Sequence, residues 1–159
     1  MSLVIVNIGS NVGNRRLHLS RAVKRLGDEF GPFELSHTVE SEPWGFDSTN
    51  SFLNVAMMFQ SDLSPVEIMN KLQGIERSIS TLNHRNSDGS YRDREIDIDI
   101  MAIDEIVIED PLVTLPHPRL PERDFFLVPF QELAPSWRHP VNGKTAGEML
   151  SELQQKKDE

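Results

Sequence analysis

The segment Glu95-Ile96-Asp97-Ile98-Asp99-Ile100-Met101 constrains this chain more than any other. Its strict alternation predicts a strand with Ile96, Ile98 and Ile100 on one face and Asp97 and Asp99 together on the other. Positions two apart on a strand are about 6.5–7 Å apart at Cα. Carboxylates at that spacing can converge on one divalent cation or hold a pair of cations about 3.5–4 Å apart. For a lone D-x-D, a solvated acidic edge is the simpler reading. Here Arg92 and Arg94 lie just upstream. Carboxylates for a metal beside guanidinium forks are what a polyphosphate needs, so phosphoryl chemistry takes precedence.

The charge balance narrows the ligand. A formal net charge of −9 argues against nucleic acid as a partner, since polyanions select basic surfaces. Between Arg85 and Arg123 every basic residue other than histidine is an arginine: Arg85, Arg92, Arg94, Arg119 and Arg123. That bias points to bidentate recognition of a small anion. With 159 residues the chain is expected to form one domain, spanning 1–159. It has no cysteine, which excludes disulfides and thiolate metal sites and fits a cytoplasmic location. No apolar run approaches the roughly 20 residues of a membrane span, so no membrane association is expected.

In chain order, Leu3 to Ile8 is an apolar run that reads as a buried strand, closed by a tight turn at Gly9-Ser10-Asn11. Asn14 is placed to cap a helix that Phe30-Gly31-Pro32 ends. Phe33 to Ser41 reads as one strand, Glu42 to Asn50 as a turn-rich loop carrying Trp44 and Phe46, and Ser51 to Gln60 as a further strand. Ser64-Pro65-Val66-Glu67 is a complete helix-start signature, predicting a helix to about Ser78. Thr81 to Ser90 is polar and turn-rich, and is expected to close over bound substrates together with Pro43 to Asn50. His117 lies between Pro116 and Pro118, which hold it in an extended segment before Arg119 and Arg123. Pro121 to Pro129 reads as a short turn of helix, and Thr145 to Leu153 as a terminal amphipathic helix.

The order strand, helix, strand, strand, helix, strand is that of an α+β ferredoxin-like sandwich, a mostly antiparallel sheet with helices packed on it in α/β/α layers. Fold alone assigns no function.

The motifs, taken in order, resemble the 6-hydroxymethyl-7,8-dihydropterin pyrophosphokinase family of folate biosynthesis. They are Gly9-Ser10-Asn11, Pro43-x-Gly45 followed by Phe52-Leu53-Asn54, Gln73-x-x-Glu76, Asp93-Arg94-x-Ile96-Asp97-Ile98-Asp99-Ile100, and Pro116-His117-Pro118-Arg119-x-x-x-Arg123-x-Phe125. The resemblance implies ATP-dependent transfer of diphosphate to the hydroxymethyl group of the pterin, with release of AMP. Asp97 and Asp99 resemble the ligands of two Mg2+ ions, and Arg92 and Arg94 complete the implied catalytic set. Gln73, Glu76, Arg85, Arg94, Ile100, Thr114, His117 and Arg123 resemble the ATP site. Ser41, Pro43, Trp44, Gly45, Phe52, Asn54 and Phe125 resemble the pterin pocket, with Phe52 and Phe125 as its two stacking faces. The implied partners are the small molecules ATP and 6-hydroxymethyl-7,8-dihydropterin, acting on a monomer. The chain departs from the family's usual pattern at Ser80-Thr81 and Ser90-Tyr91, where basic residues are common, and Arg85 or Arg92 is placed to supply that charge.

No G-x-x-x-x-G-K-[ST] occurs, so ATP is not held on a Walker cradle. A divalent-metal phosphodiesterase using the same D-x-D, and a non-catalytic ferredoxin-like binding module, are the rival readings. The first would form product without an acceptor. The second would leave Asp97 and Asp99 dispensable.

Overall fold

The computed structural model of the chain describes residues 1–41, 51–80 and 95–157. Its centre is β1 (Ser2–Ser10), flanked by β4 (Phe52–Ser61) and β5 (Asp97–Ile103), both antiparallel to it. β2 (Phe33–Leu35) and β3 (Val39–Ser41) pair one after the other along the far side of β4. The resulting order β2-β4-β1-β5 leaves β5 at an edge. This is the antiparallel split βαβ arrangement that the element order implied.

Alternation along the strands feeds two cores. Val4, Val6 and Ile8 of β1, Leu53 and Val55 of β4, and Ile98 and Ile100 of β5 pack against α1 (Arg15–Phe30) and α2 (Pro65–Ile79). Ile5, Met101 and Ala102 point the other way, against α3 (Asp124–Leu133) and α4 (Ala146–Lys157). Each fully buried aliphatic side chain contributes roughly 1.5–3 kcal/mol, so a one-residue slip of β5 would expose its isoleucines and bury Asp97 and Asp99. The α2 start is the expected capping box, with Ser64 and Glu67 bonding reciprocally. Asn14 caps α1 through the Leu17 N–H, and Gly31 ends that helix at φ 87°.

Three expectations are corrected. β1 does not stop before Gly9 but runs through Ser10, with Gly9 opposite both Asn54 and Asp97. A Cβ on Gly9 would lie 3.1 Å from Asn54 Oδ1, so the glycine serves close approach of a side chain rather than a turn. The expected Phe33–Ser41 strand is broken: between β2 and β3 the Ser36 hydroxyl accepts the Ala56 N–H, replacing a backbone partner. Beyond β5 a two-residue strand, β6 (Ile108–Glu109), pairs with β7 (Thr114–Leu115). The short helical turn expected before Pro129 is a 3-10 turn at Leu120–Glu122 followed by the full α3, which continues through Pro129. Burial of Phe126, Leu127 and Phe130 offsets the roughly 3 kcal/mol cost of an interior proline.

Candidate active site

Because β5 lies at the sheet edge, the groove beside it is bounded by α2 on one side and by the segment Val113–Pro118 on the other. It encloses about 400 Å3 and is lined by Gln73, Glu76, Asp97, Asp99, Ile100, Thr114 and His117, among others. All seven are residues that the sequence motifs place at the metal or ATP site. Ile96, Ile98 and Ile100 are buried, at 0, 6 and 7% exposure, whereas Asp97 and Asp99 are half-buried on the opposite face. Glu76 has a structural duty as well: its Oε2 accepts the Ile98 N–H at 2.8 Å, bracing β5 between the two aspartates.

His117 is anchored through its backbone, whose N–H donates to Met101 O within β5. The Leu115–Pro116 peptide is cis. The Arg119 N–H donates to His117 Nδ1 at 3.0 Å, which places the ring proton on Nε2 and makes that nitrogen a donor. Burial, helped by Arg123 and Arg119 and opposed by Asp97, pushes the imidazole pKa down to about 4. The ring packs edge-on against Phe126, with centroids 5.3 Å apart. His117 is therefore neutral at pH 7, an N–H donor for a phosphate or heterocycle acceptor.

This shift has a consequence for stability. The folded pKa lies below the unfolded value near 6.5, so the folded chain holds fewer protons, and the contribution is complete above pH 6.5 and is lost as pH falls toward 4. Between pH 7.5 and 5 the wild type is expected to lose about 2 kcal/mol more stability than His117→Gln, which cannot titrate. Parallel denaturation curves at the two pH values measure this, and equal losses would refute it.

Arg123 precedes α3 with its guanidinium 5.1 Å from the Phe126 ring centroid and 5.7 Å from that of Phe125. Burial lowers its pKa while the fields of Asp99 and Asp97 raise it, so the cation shares the aspartates' surroundings.

On the same face of the sheet, two strands away, lie the residues read as the pterin pocket. Asn54 Nδ2 donates to Ser41 Oγ at 2.9 Å, and Phe52 and Phe125 are half-buried. Asn7 joins this row: its Nδ2 donates to Asn54 Oδ1 at 3.2 Å, and in the sheet register it lies opposite Asp99. In the sequence Asn7 sits within the apolar run Leu3 to Ile8, and a lone amide in such a run is a visible signal. Pro43, Trp44, Gly45, Arg85, Arg92 and Arg94, and the loops expected to close over the substrates, lie outside the described residues.

Fold and groove together define a class: an α+β enzyme built to transfer a phosphate-containing group. A family model described as 7,8-dihydro-6-hydroxymethylpterin-pyrophosphokinase (HPPK) matches residues 5–135. A 2-amino-4-hydroxy-6-hydroxymethyldihydropteridine pyrophosphokinase of Porphyromonas gingivalis is 39% identical over 142 residues, covering 88% of this chain and 95% of that protein. The enzyme of the same name from Aquifex aeolicus is 36% identical over 153 residues, covering 96% of this chain and 92% of that protein. Among solved structures, Plasmodium falciparum HPPK-DHPS with pteroate superposes at a TM-score of 0.76 and 12% identity, which speaks for the fold alone. It covers 99% of this chain, and the chain spans only 43% of that longer one. The chain belongs to the HPPK family, and is a diphosphate-transferring enzyme of folate biosynthesis.

Proposed function

We propose that this chain transfers the terminal diphosphate of ATP to the hydroxymethyl oxygen of 6-hydroxymethyl-7,8-dihydropterin, acting as a single-domain monomer in the cytoplasm. The hydroxyl oxygen bonds to the β-phosphorus, the bond from that phosphorus to the α,β-bridging oxygen breaks, the hydroxyl proton is lost, and AMP departs. The observation that carries this reading is the place of Gly9. It pairs with Asp97 on one side and Asn54 on the other, a span of about 10 Å across three strands, and with no side chain of its own it lets Asn54 Oδ1 and the Phe52 ring close over it. A flat heterocycle held at Asn54 thus reaches the edge where the aspartates meet a triphosphate.

The chain's residues divide the work. Phe52 and Phe125 provide faces for the ring, and Asn54 and Ser41 provide fixed polar contacts for its edge. His117 donates from Nε2 to the nucleotide, and Arg123, with Arg94 and Arg92, neutralises phosphate charge. Asp97 and Asp99 are hard oxygen donors projecting on one face into the groove, a set suited to Mg2+ and unsuited to softer metals. Bound Mg2+, two ions by the family resemblance, would supply charge neutralisation at the phosphates. Among the described residues no cluster of three or more metal-binding side chains occurs. No helix among the described residues is long and apolar enough to cross a membrane.

Incubation with ATP, Mg2+ and the pterin tests the reading. AMP and pterin diphosphate are expected in equal amounts, with little AMP when the pterin is omitted. AMP or ADP formed at the same rate without acceptor would mark a hydrolase instead.

A further inference from the structure

Asn7 is 3% exposed in the middle of the central strand, where neighbouring Val4, Val6 and Ile8 show 0% exposure. Its Oδ1 is buried and has no hydrogen-bond partner among the described residues. A stranded buried acceptor lowers stability, and a small apolar side chain would avoid that loss. The amide's contribution therefore lies outside the core, and its hydrogen bond to Asn54 shows where.

An asparagine amide can turn over by 180°, exchanging its oxygen and nitrogen. Ser41 does not oppose such a turn of Asn54, because its hydroxyl can donate as readily as it accepts. Gly9, beneath Asn54, has no side chain to oppose it. Asn7 does oppose it, since its Nδ2 only donates and must face the Asn54 oxygen. If Asn7 itself turned over, both its N–H groups would lose this partner, and buried donors without partners are rarer than buried carbonyls without them. With Asn7 and Ser41 in place, Asn54 keeps one N–H and one oxygen lone pair in a fixed order among the described residues.

We propose that Asn7 is a positioning residue that sets the specificity of the pterin site: by fixing the Asn54 amide it makes Asn54 complementary to a lactam edge, an N–H beside a C=O, and mismatched to the lactim form of the same ring. The inference rests on the function proposed above. It assigns to Asn7 a role exerted through Asn54, without contact to ATP.

Calorimetry with a nonhydrolysable ATP analogue, 6-hydroxymethylpterin, and its 4-O-methyl ether tests it. In the ether the ring N–H is replaced by an acceptor nitrogen. The wild type is expected to prefer the lactam by about a hundredfold or more, as sites built around buried polar groups do. In Asn7→Ala the Asn54 amide can take either orientation, so lactam affinity should fall only about twofold while ether affinity rises, and the lactam-to-ether preference should fall several-fold. Affinity for the ATP analogue and the melting temperature should barely change. Asn7→Ser, which keeps a hydroxyl donor, should recover part of the preference, and it carries the measurement if the alanine variant folds poorly. An unchanged preference in both variants, or equal losses for pterin and nucleotide, would overturn the role of Asn7 while leaving the proposed function standing. A wild type that binds the ATP analogue but neither pterin would overturn both.

Discussion

Asp97→Ala and Asp99→Ala are each expected to lower diphosphate transfer at least about a thousandfold while the chain stays folded. Both carboxylates are half-buried on the open face of an edge strand, and the buried isoleucines that hold β5 in place are untouched by either change. Removing one of two adjacent anions also relieves repulsion, so melting temperatures should stay near that of the wild type. The loss falls on charge neutralisation at the phosphates, a term worth several kcal/mol. Turnover should collapse at saturating ATP and pterin, with pterin affinity changed far less. Asp97→Asn and Asp99→Asn separate charge from shape: they keep the volume and an oxygen donor but lose the anion, and should fall nearly as far as alanine. Near-normal turnover in any of the four would end the assignment of these two residues to the metal.

The same strand shows why part of this protein is legible from its sequence. Alternation at Ile96 to Ile100 has one structural solution, because any other register buries carboxylates or exposes isoleucine. The capping box at Ser64 and Glu67 is equally local, so α2 was readable to within a residue of its end. His117 stands out in the sequence because two prolines fix the backbone around it, and it lines the groove. What escaped depends on partners distant in sequence. Gly9 reads as a turn residue until Asn54 and Asp97 are known to flank it. The Ser36 break is set by Ala56 on another strand, and the extension of α3 past Pro129 by the core that receives Phe130. Glu76 was assigned to the nucleotide from the family motif, and only the packing of α2 against β5 reveals its bond to the Ile98 N–H. Asn7 combined both difficulties, a visible anomaly whose meaning lay in Asn54.

Arg123→Ala is expected to reduce kcat by about a hundredfold with a much smaller loss of ATP affinity, because a cation aimed at phosphates matters most where charge develops during transfer. Arg123 makes no side-chain hydrogen bond that caps α3, so truncation does not remove a helix start. Its guanidinium lies over Phe125 and Phe126, and burial there lowers its pKa against the fields of Asp99 and Asp97. The side chain is thus held by aromatic faces within the field of the acidic edge, an arrangement that suits a planar, weakly hydrated cation. Lysine keeps the charge but loses the planar fork and the stacking. Arg123→Lys should therefore recover less than about a tenth of the lost rate, although a point charge alone would recover most of it. Single-turnover kinetics at saturating ATP, alongside equilibrium binding of a nonhydrolysable analogue, separates the rate from the affinity. Full activity in Arg123→Lys would reduce the role of Arg123 to general electrostatics, and parallel losses of affinity and rate in Arg123→Ala would assign it to ground-state binding of ATP.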